Sequence, residues 1–214
     1  MHIVVFVDLD GTLIDPKVNN TYDFISFLYY CRLRSLALLK LVMFIMARIS
    51  YMIAIMLSKL RVKMDTSTIF ISSALFCSNL KRLESLSLYW LYLLLRKKFL
   101  RTDVIKKIIK IEKMSPSRVE VYVLTCCVEY PACIIAEKLG YKCLSRELRK
   151  KGGITVGLKD IQPCYITKAE KYANTIKSVI KECLQRPYTI YIVDKESARS
   201  EEPFLRLFDK VIIV

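Results

Sequence analysis

Histidine is almost missing from this chain, and cysteine is present without its metal-binding spacing. His2 is the single histidine, and none of the eight cysteines forms a CxxC pair. The usual spacings of zinc ligands are therefore absent. Glycine and proline are scarce, at 5 and 6 residues, while Ile, Lys, Arg and Tyr are plentiful. That balance is compatible with a heat-stable protein, in which cytosolic disulfides become feasible. No secretory leader precedes the first strand, so the expected location is cytoplasmic and most thiols are expected to be reduced core residues. Uninterrupted apolar runs are also short. Between 36 and 60 the sequence is strongly hydrophobic, yet Lys40, Arg48 and Lys59 break it, leaving 49–58 as its longest uncharged run. A membrane-spanning helix needs roughly 20 mainly apolar residues, and an arginine at mid-span is costly in lipid.

Acidic residues are the minority charge. Against 35 Lys and Arg stand 20 Asp and Glu, a net charge of +15. Such a surplus attracts phosphates, nucleic acids or anionic lipid heads, or is simply a solvated basic surface. Nucleic-acid modules interleave aromatics or glycine with arginine on one face. Here the basic residues are scattered, apart from Arg96-Lys97-Lys98 and Arg149-Lys150-Lys151, which disfavours nucleic acid. The hydrophobic fraction of 54% and the mean hydropathy of +0.32 are high, and much of the excess lies between Phe24 and Leu100.

What is present is a strand that ends in two carboxylates. Val4-Val5-Phe6-Val7-Asp8-Leu9-Asp10-Gly11-Thr12-Leu13 reads as a buried strand, a pair of aspartates one residue apart, a glycine turn and a hydroxyl. On an extended backbone Asp8 and Asp10 point to the same side. Their mutual repulsion calls for a cation between them.

Further along, residues 21–113 read as helical almost throughout. Asp15, Asn19 and Asn20 offer cap or turn chemistry at the start, a break is expected at Ser78 or Asn79, and Thr102-Asp103 caps a helix over 103–114. The period then changes. Residues 119–125 read as a strand, 131–139 as a helix stopped by Gly140, 142–145 as a strand and Gly152-Gly153 as a hairpin turn or exposed loop. Residues 167–184 read as an amphipathic helix capped by Thr167. Residues 188–193 form a strand ending at Asp194, and 211–214 a last strand. Alternating strands and helices imply an α/β fold, a doubly wound parallel sheet. The helical block 15–114 reads as an inserted all-helical cap, leaving 1–14 and 115–214 as the α/β core. Sites in such sheets sit at strand carboxyl ends, where Asp8, Asp10, Thr125 and Asp194 are expected.

Asp8-Leu9-Asp10-Gly11-Thr12-Leu13 resembles the DxDGT signature of the haloacid dehalogenase (HAD) superfamily. The resemblance implies a Rossmann-like core in which Asp8 is the nucleophile and Asp10 the general acid and base. It implies Mg2+ held by Asp8, the carbonyl of Asp10 and a later carboxylate. The chain repeats the later motifs in order. Val121-Tyr122-Val123-Leu124-Thr125 is similar to the strand whose hydroxyl and following N–H hold a phosphoryl oxygen, here Thr125 and Cys126, with Thr12 a further phosphate contact. Residues 160–168 resemble the Asn-Cys-x-x-x-x-Lys run of the phosphoserine-phosphatase-like IB subclass and place Lys168 as the charge-offsetting lysine. Val193-Asp194 resembles the start of the metal loop, with Asp194 as ligand. That loop departs from the pattern. Val193 replaces glycine, Ala198 stands where a second aspartate belongs, and the loop is about three residues longer. Glu196, Glu201 and Glu202 are the candidate substitutes, and Lys195 could compete with Mg2+ for Asp194.

The resemblance therefore implies a Mg2+-dependent phosphatase acting on a small phosphorylated substrate through an aspartyl-phosphate. The apolar cap argues against phosphoserine itself. The alternative is a catalytically weak or inactive protein that binds a ligand, a partner or a membrane surface through its apolar, basic cap. A lipid-phosphate substrate is a third reading. Monomer and homodimer both remain open.

Overall fold

The computed structural model describes residues 2–32, 49, 71, 75, 78–115, 118–159, 164–183 and 186–214; at 29, 30, 32, 164–171, 200 and 203 it describes the backbone alone. The apolar stretch 35–60, expected to be helical, lies outside the described residues apart from Ile49, and so do residues 160–163 of the lysine-bearing motif.

The chain opens with β1 (Ile3–Asp8), which is apolar until its last residue and buried along its whole length. Continuous apolar runs of this kind form strands covered on both faces. Helices α1 (Asn20–Arg32), α2 (Leu80–Arg96) and α3 (Thr102–Met114) follow. Then come β2 (Val119–Val128), α4 (Glu129–Lys138) and β3 (Lys142–Arg146). Strands β4 (Leu148–Lys151) and β5 (Ile154–Leu158) form a hairpin. Helix α5 (Cys164–Lys181), β6 (Tyr188–Val193), α6 (Lys195–Ser200), α7 (Glu202–Leu205) and β7 (Lys210–Ile213) complete the chain.

The five main strands are parallel, in the order β3-β2-β1-β6-β7. From β1 the chain builds outward through β2 and β3, then returns to lay β6 on the other side of β1. The direction of winding thus reverses between β1 and β6, and the carboxyl side of such a crevice is where doubly wound sheets bind ligands.

Strand alternation divides the core into two layers. Val5 and Val7 face one apolar cluster with Phe24 of α1, Leu91 of α2, Ile108 of α3 and Ile135 of α4. Val4 and Phe6 face the other, with Tyr172 and Ile176 of α5, Ala198 of α6 and Phe204 of α7. Aromatic rings fill that second layer: Phe6 packs on Tyr122 at 5.4 Å, and Tyr191 stacks on Phe208 at 4.7 Å.

Some element ends match the sequence reading and others differ, each for a physical reason. Helix α2 begins where the break was expected, because the Asn79 side chain accepts a hydrogen bond from the Arg82 N–H at 3.1 Å. Helix α3 begins at Thr102 with Arg101 in the capping position and no side-chain cap. Arg101 is the last extended residue: its N–H donates to the Leu13 carbonyl at 2.9 Å, beside an antiparallel bridge between Ile14 and Leu100. Strand β2 runs three residues past Thr125, through an irregular register between Leu124 and Val128. Helix α5 begins at Cys164, so Thr167 lies inside it and is not its cap. Gly152 and Gly153, both with positive φ, make the hairpin turn between β4 and β5. That hairpin docks on the chain ahead of α2, where Thr155 N–H donates to the Ser78 carbonyl at 2.9 Å. Among the described cysteines Cys31, Cys126, Cys127, Cys133, Cys143 and Cys183 are not in disulfides. No helix among the described residues is long and apolar enough to cross a membrane.

Candidate functional site at the β1–β6 crevice

Asp8 ends β1 opposite Leu124 of β2 and is 4% exposed. It shares the face of Val4 and Phe6, the side covered by α5. Two residues on, the chain leaves the sheet through Gly11, whose φ is +79°. A Cβ at Gly11 would lie 3.1 Å from both Cγ and Oδ2 of Asp194. Glycine therefore serves two needs at once: a left-handed turn and the close approach of the Asp194 carboxylate. Thr12, fully buried, locks the same approach. Its Oγ1 accepts the Asp194 N–H at 2.8 Å, and its hydroxyl lies 3.5 Å from Asp194 Oδ2. The loop after β1 is thus fastened to the end of β6 across the reversal of the sheet.

Asp10 is oriented from the other side. Its Oδ1 accepts the backbone N–H of Asn20 at 2.9 Å. Asn20 is itself fully buried and carries three ties. Besides the amide bond to Asp10, its Oδ1 accepts the Trp90 indole N–H at 2.7 Å and its Nδ2 donates to Cys127 Sγ at 3.3 Å. The sequence reading treated Asn20 only as a cap candidate; Asn19 takes that role, accepting the Tyr22 N–H at 3.2 Å. Arg101 is a second residue the sequence reading passed over. Its Nη1 donates to the Gly11 carbonyl at 3.1 Å, so the start of α3 holds the loop that carries the aspartates.

Thr125 lies one residue beyond the last β1–β2 pair, within the irregular stretch of β2, and is 1% exposed. Its Oγ1 accepts the Cys127 N–H at 3.0 Å, and its carbonyl accepts the Tyr172 hydroxyl at 2.9 Å. Cys126 is half-buried beside it. Lys168 falls in the first turns of α5, and its side chain lies outside the described residues.

The long loop after β6 folds into α6 and α7. Asp194 is the N-cap of α6: its Oδ1 accepts the N–H groups of Glu196 at 2.8 Å and Ser197 at 3.0 Å. Of the three candidate substitutes for the missing aspartate, the structure brings one to the crevice. Glu196 and Ser197 line a cavity of about 290 Å³ together with Asp10, Gly11, Asn19 and Asp194. Glu201 turns the other way and accepts the Tyr191 hydroxyl at 3.0 Å. Glu202 is exposed and pairs with Arg206 at 4.0 Å.

A wider cleft, about 600 Å³, opens at the opposite, amino ends of the strands. Glu120 at its centre is paired with Lys142 at 2.6 Å and Arg118 at 3.1 Å, and the lysine holds its carboxyl below the ordinary value. Its charges compensate one another, whereas the crevice gathers carboxylates.

The acidic residues lining the crevice, Asp10, Asp194 and Glu196, offer carboxylate oxygens. Among the described residues no three His, Cys, Asp or Glu side chains are spaced to hold a metal ion by themselves. Mg2+ needs fewer: it is commonly held by one or two carboxylates, with waters and substrate phosphate completing its shell. Asp8 and Asp194, with the Asp10 carbonyl, are donors of that kind.

No protein-family model matches the chain, and no curated protein matches it. Solved structures do. A protein of unknown function from Bordetella pertussis Tohama I matches with a TM-score of 0.69 at 10% identity, over 99% of this chain and 98% of that one. Phosphoserine phosphatase, as a phospho-aspartyl intermediate analogue, matches with a TM-score of 0.54 at 15% identity, over 98% and 92%. A HAD family hydrolase from Salmonella enterica serovar Typhi gives 0.60 at 10% identity, over 96% of this chain and 60% of that one. The chain has the Rossmann-like fold of HAD hydrolases of the phosphoserine-phosphatase type.

Proposed function

We propose that the chain is a Mg2+-dependent phosphatase that hydrolyses a small phosphomonoester through an aspartyl-phosphate on Asp8. One observation carries the reading: the reversal of sheet winding brings Asp8, Asp10, Thr12 and Asp194 together at the carboxyl ends of β1 and β6. The similarity in fold to a phosphoserine phosphatase captured as a phospho-aspartyl analogue supports it. The division into a core of 1–14 and 115–214 and a helical cap of 15–114 belongs to the same proposal.

In the first half of the reaction an Asp8 oxygen attacks phosphorus, and the bond to the leaving oxygen breaks as Asp10 gives that oxygen a proton. In the second half Asp10 takes a proton from water as the water oxygen attacks the aspartyl-phosphate. Phosphate leaves and the Asp8 carboxylate is restored. The Asn20 N–H bonded to Asp10 Oδ1 fixes the acid–base group through both halves. Thr12, Thr125, the Cys126 N–H and Lys168 are the proposed phosphate contacts. Mg2+ held by Asp8, Asp10 and Asp194 would supply positive charge against the phosphoryl oxygens.

Asp8→Asn removes the nucleophile while keeping the size of the side chain. Hydrolysis of p-nitrophenyl phosphate is expected to fall by a factor on the order of 1,000 or more, with folding retained. Turnover by Asp8→Asn at the wild-type rate overturns the assignment.

A specific observation favours the second reading, a weak or inactive binding protein. Asp194 Oδ1 is committed to two helix amides, and no aspartate follows it at the family spacing. Thermal melting with Mg2+ and beryllofluoride separates the two: a raised midpoint supports the phosphatase, and no shift supports the binding protein.

A further inference from the structure

Helix α2 has two apolar faces, and one of them is exposed. Leu83, Ser87, Leu91 and Leu94 point into the core. On the other side Leu88, Tyr89, Tyr92 and Leu95 are 39%, 51%, 52% and 56% exposed. Leu88, Tyr92 and Leu95 follow one another at helical spacing, so they form a single stripe along the helix. The stripe is held in shape. Tyr89 stacks on Phe27 of α1 with centroids 5.7 Å apart, and Tyr92 packs against Tyr89 at 6.0 Å. A soluble chain gains nothing by presenting a fixed aromatic and aliphatic stripe to water, and patches of this kind mark interaction surfaces.

The charges around the stripe choose its partner. Exposed Arg96, Lys97 and Lys98 close its carboxyl end, and exposed Lys81 and Arg82 stand at its amino end; Glu84 is the one acidic residue of the helix. A second copy laid on this face would set one basic end against another, in a chain already at +15. A surface of anionic lipid answers both parts. Leucine and tyrosine enter the boundary between headgroups and acyl chains, tyrosine with its hydroxyl kept in water, while lysine and arginine meet the phosphates.

We propose that the exposed face of α2 is an interfacial docking surface for anionic membranes, seated on Leu88, Tyr92 and Leu95 and steered by Arg96, Lys97 and Lys98. It uses a face remote in chemistry from Asp8 and needs no turnover. The phosphatase reading can fail without touching it.

Flotation of the full chain with vesicles tests it. The chain is expected to float with vesicles of mixed phosphatidylcholine and phosphatidylglycerol, to stay down with phosphatidylcholine alone, and to be released by high salt. Leu88→Ser/Tyr92→Ser/Leu95→Ser is expected to weaken binding by roughly tenfold or more. Lys97→Glu/Lys98→Glu is expected to do the same through charge. Both variants change exposed side chains, and an unaltered melting midpoint verifies that they fold. A wild-type chain that does not float overturns the proposal. So does equal flotation of the triple serine variant, which places the contact elsewhere. A dimer in light scattering that the triple serine variant dissolves also overturns it, by assigning the stripe to a second copy.

Discussion

Replacing Asn20 by leucine tests whether α2 is tied to the aspartate loop through one buried amide. Asn20 is fully buried, and its Oδ1 takes the Trp90 N–H at 2.7 Å. Leucine keeps the branched four-atom frame of the asparagine side chain and leaves no cavity. The losses are chemical. A neutral hydrogen bond contributes about 1 kcal/mol net, and a donor left without an acceptor costs about 1–3 kcal/mol. Trp90 is half-buried, so water reaches part of the indole and the lower half of that range applies. The weak bond to Cys127 Sγ adds little. The expected destabilisation is about 2–3 kcal/mol, which in a domain of this size lowers the melting midpoint by about 4–12 °C.

A double-mutant cycle with Trp90→Phe isolates the pair, because Trp90→Phe removes the donor that Asn20→Leu strands. The double variant should lose less than the sum of the singles by about 1–2 kcal/mol. Urea denaturation followed by circular dichroism reads all four corners. Asp10 is held by the backbone N–H of Asn20, which leucine retains, so well below the melting midpoint activity should persist. A loss under about 0.5 kcal/mol, or strict additivity with Trp90→Phe, refutes the tie.

Two further outcomes follow from the same geometry. Gly11→Ala forces a side chain into a φ of +79° and sets a Cβ 3.1 Å from the Asp194 carboxylate. A stability loss of about 1–2 kcal/mol is expected from the backbone alone, together with a raised Mg2+ requirement for p-nitrophenyl phosphate hydrolysis; an unchanged metal titration would show that Asp194 does not serve the metal. Asp209 accepts the Thr189 N–H at 2.8 Å and its hydroxyl at 2.7 Å, with Arg186 at 3.0 Å, and these contacts hold its carboxyl below the ordinary value of 3.8. A depressed folded pKa stabilises above the unfolded value and loses that contribution as pH falls through the folded one. Asp209→Asn should therefore melt below wild type at neutral pH and converge with it below pH 3.8, and a gap that stays constant across that range would sink the argument.

How much of this was legible in the chain depends on how local each cause is. β1 was readable because six consecutive buried residues need only one signal, an apolar run closed by charge. The break at Asn79 was readable because an N-cap acts within three residues. Element ends set by distant partners were not. Arg101 stays extended because it pairs with Leu13, and that contact, not the capping preference of Thr102, decides where α3 starts. Thr125 was expected to end a strand, yet Cys126, Cys127 and Val128 are apolar enough to continue it, and nothing in their own composition announces the irregular register. At the site, the aspartates were visible from spacing alone. Asn20 and Arg101 were not, since their partners lie 70 and 90 residues away and an asparagine or arginine at a helix start carries no mark of such a partner.

The departures of the last motif follow from one physical cause. With valine in place of glycine and a longer loop, the chain after β6 winds into a helix at once, and a helix start needs a cap. Asp194 supplies it with Oδ1, which leaves Oδ2 as the oxygen facing Gly11 and Thr12. A carboxylate divided between a helix end and the crevice is a fixed, one-oxygen donor. In the usual arrangement a later aspartate would add charge; here Ala198 is buried in the second core layer and cannot. The first turn of α6 instead turns Glu196 into the cavity beside Asp10. Its extra methylene lengthens its reach from a starting point nearer the sheet. On the proposed phosphatase reading, Glu196 rather than position 198 would supply the second acidic group, held beside Asp10 by the helix start that Asp194 caps.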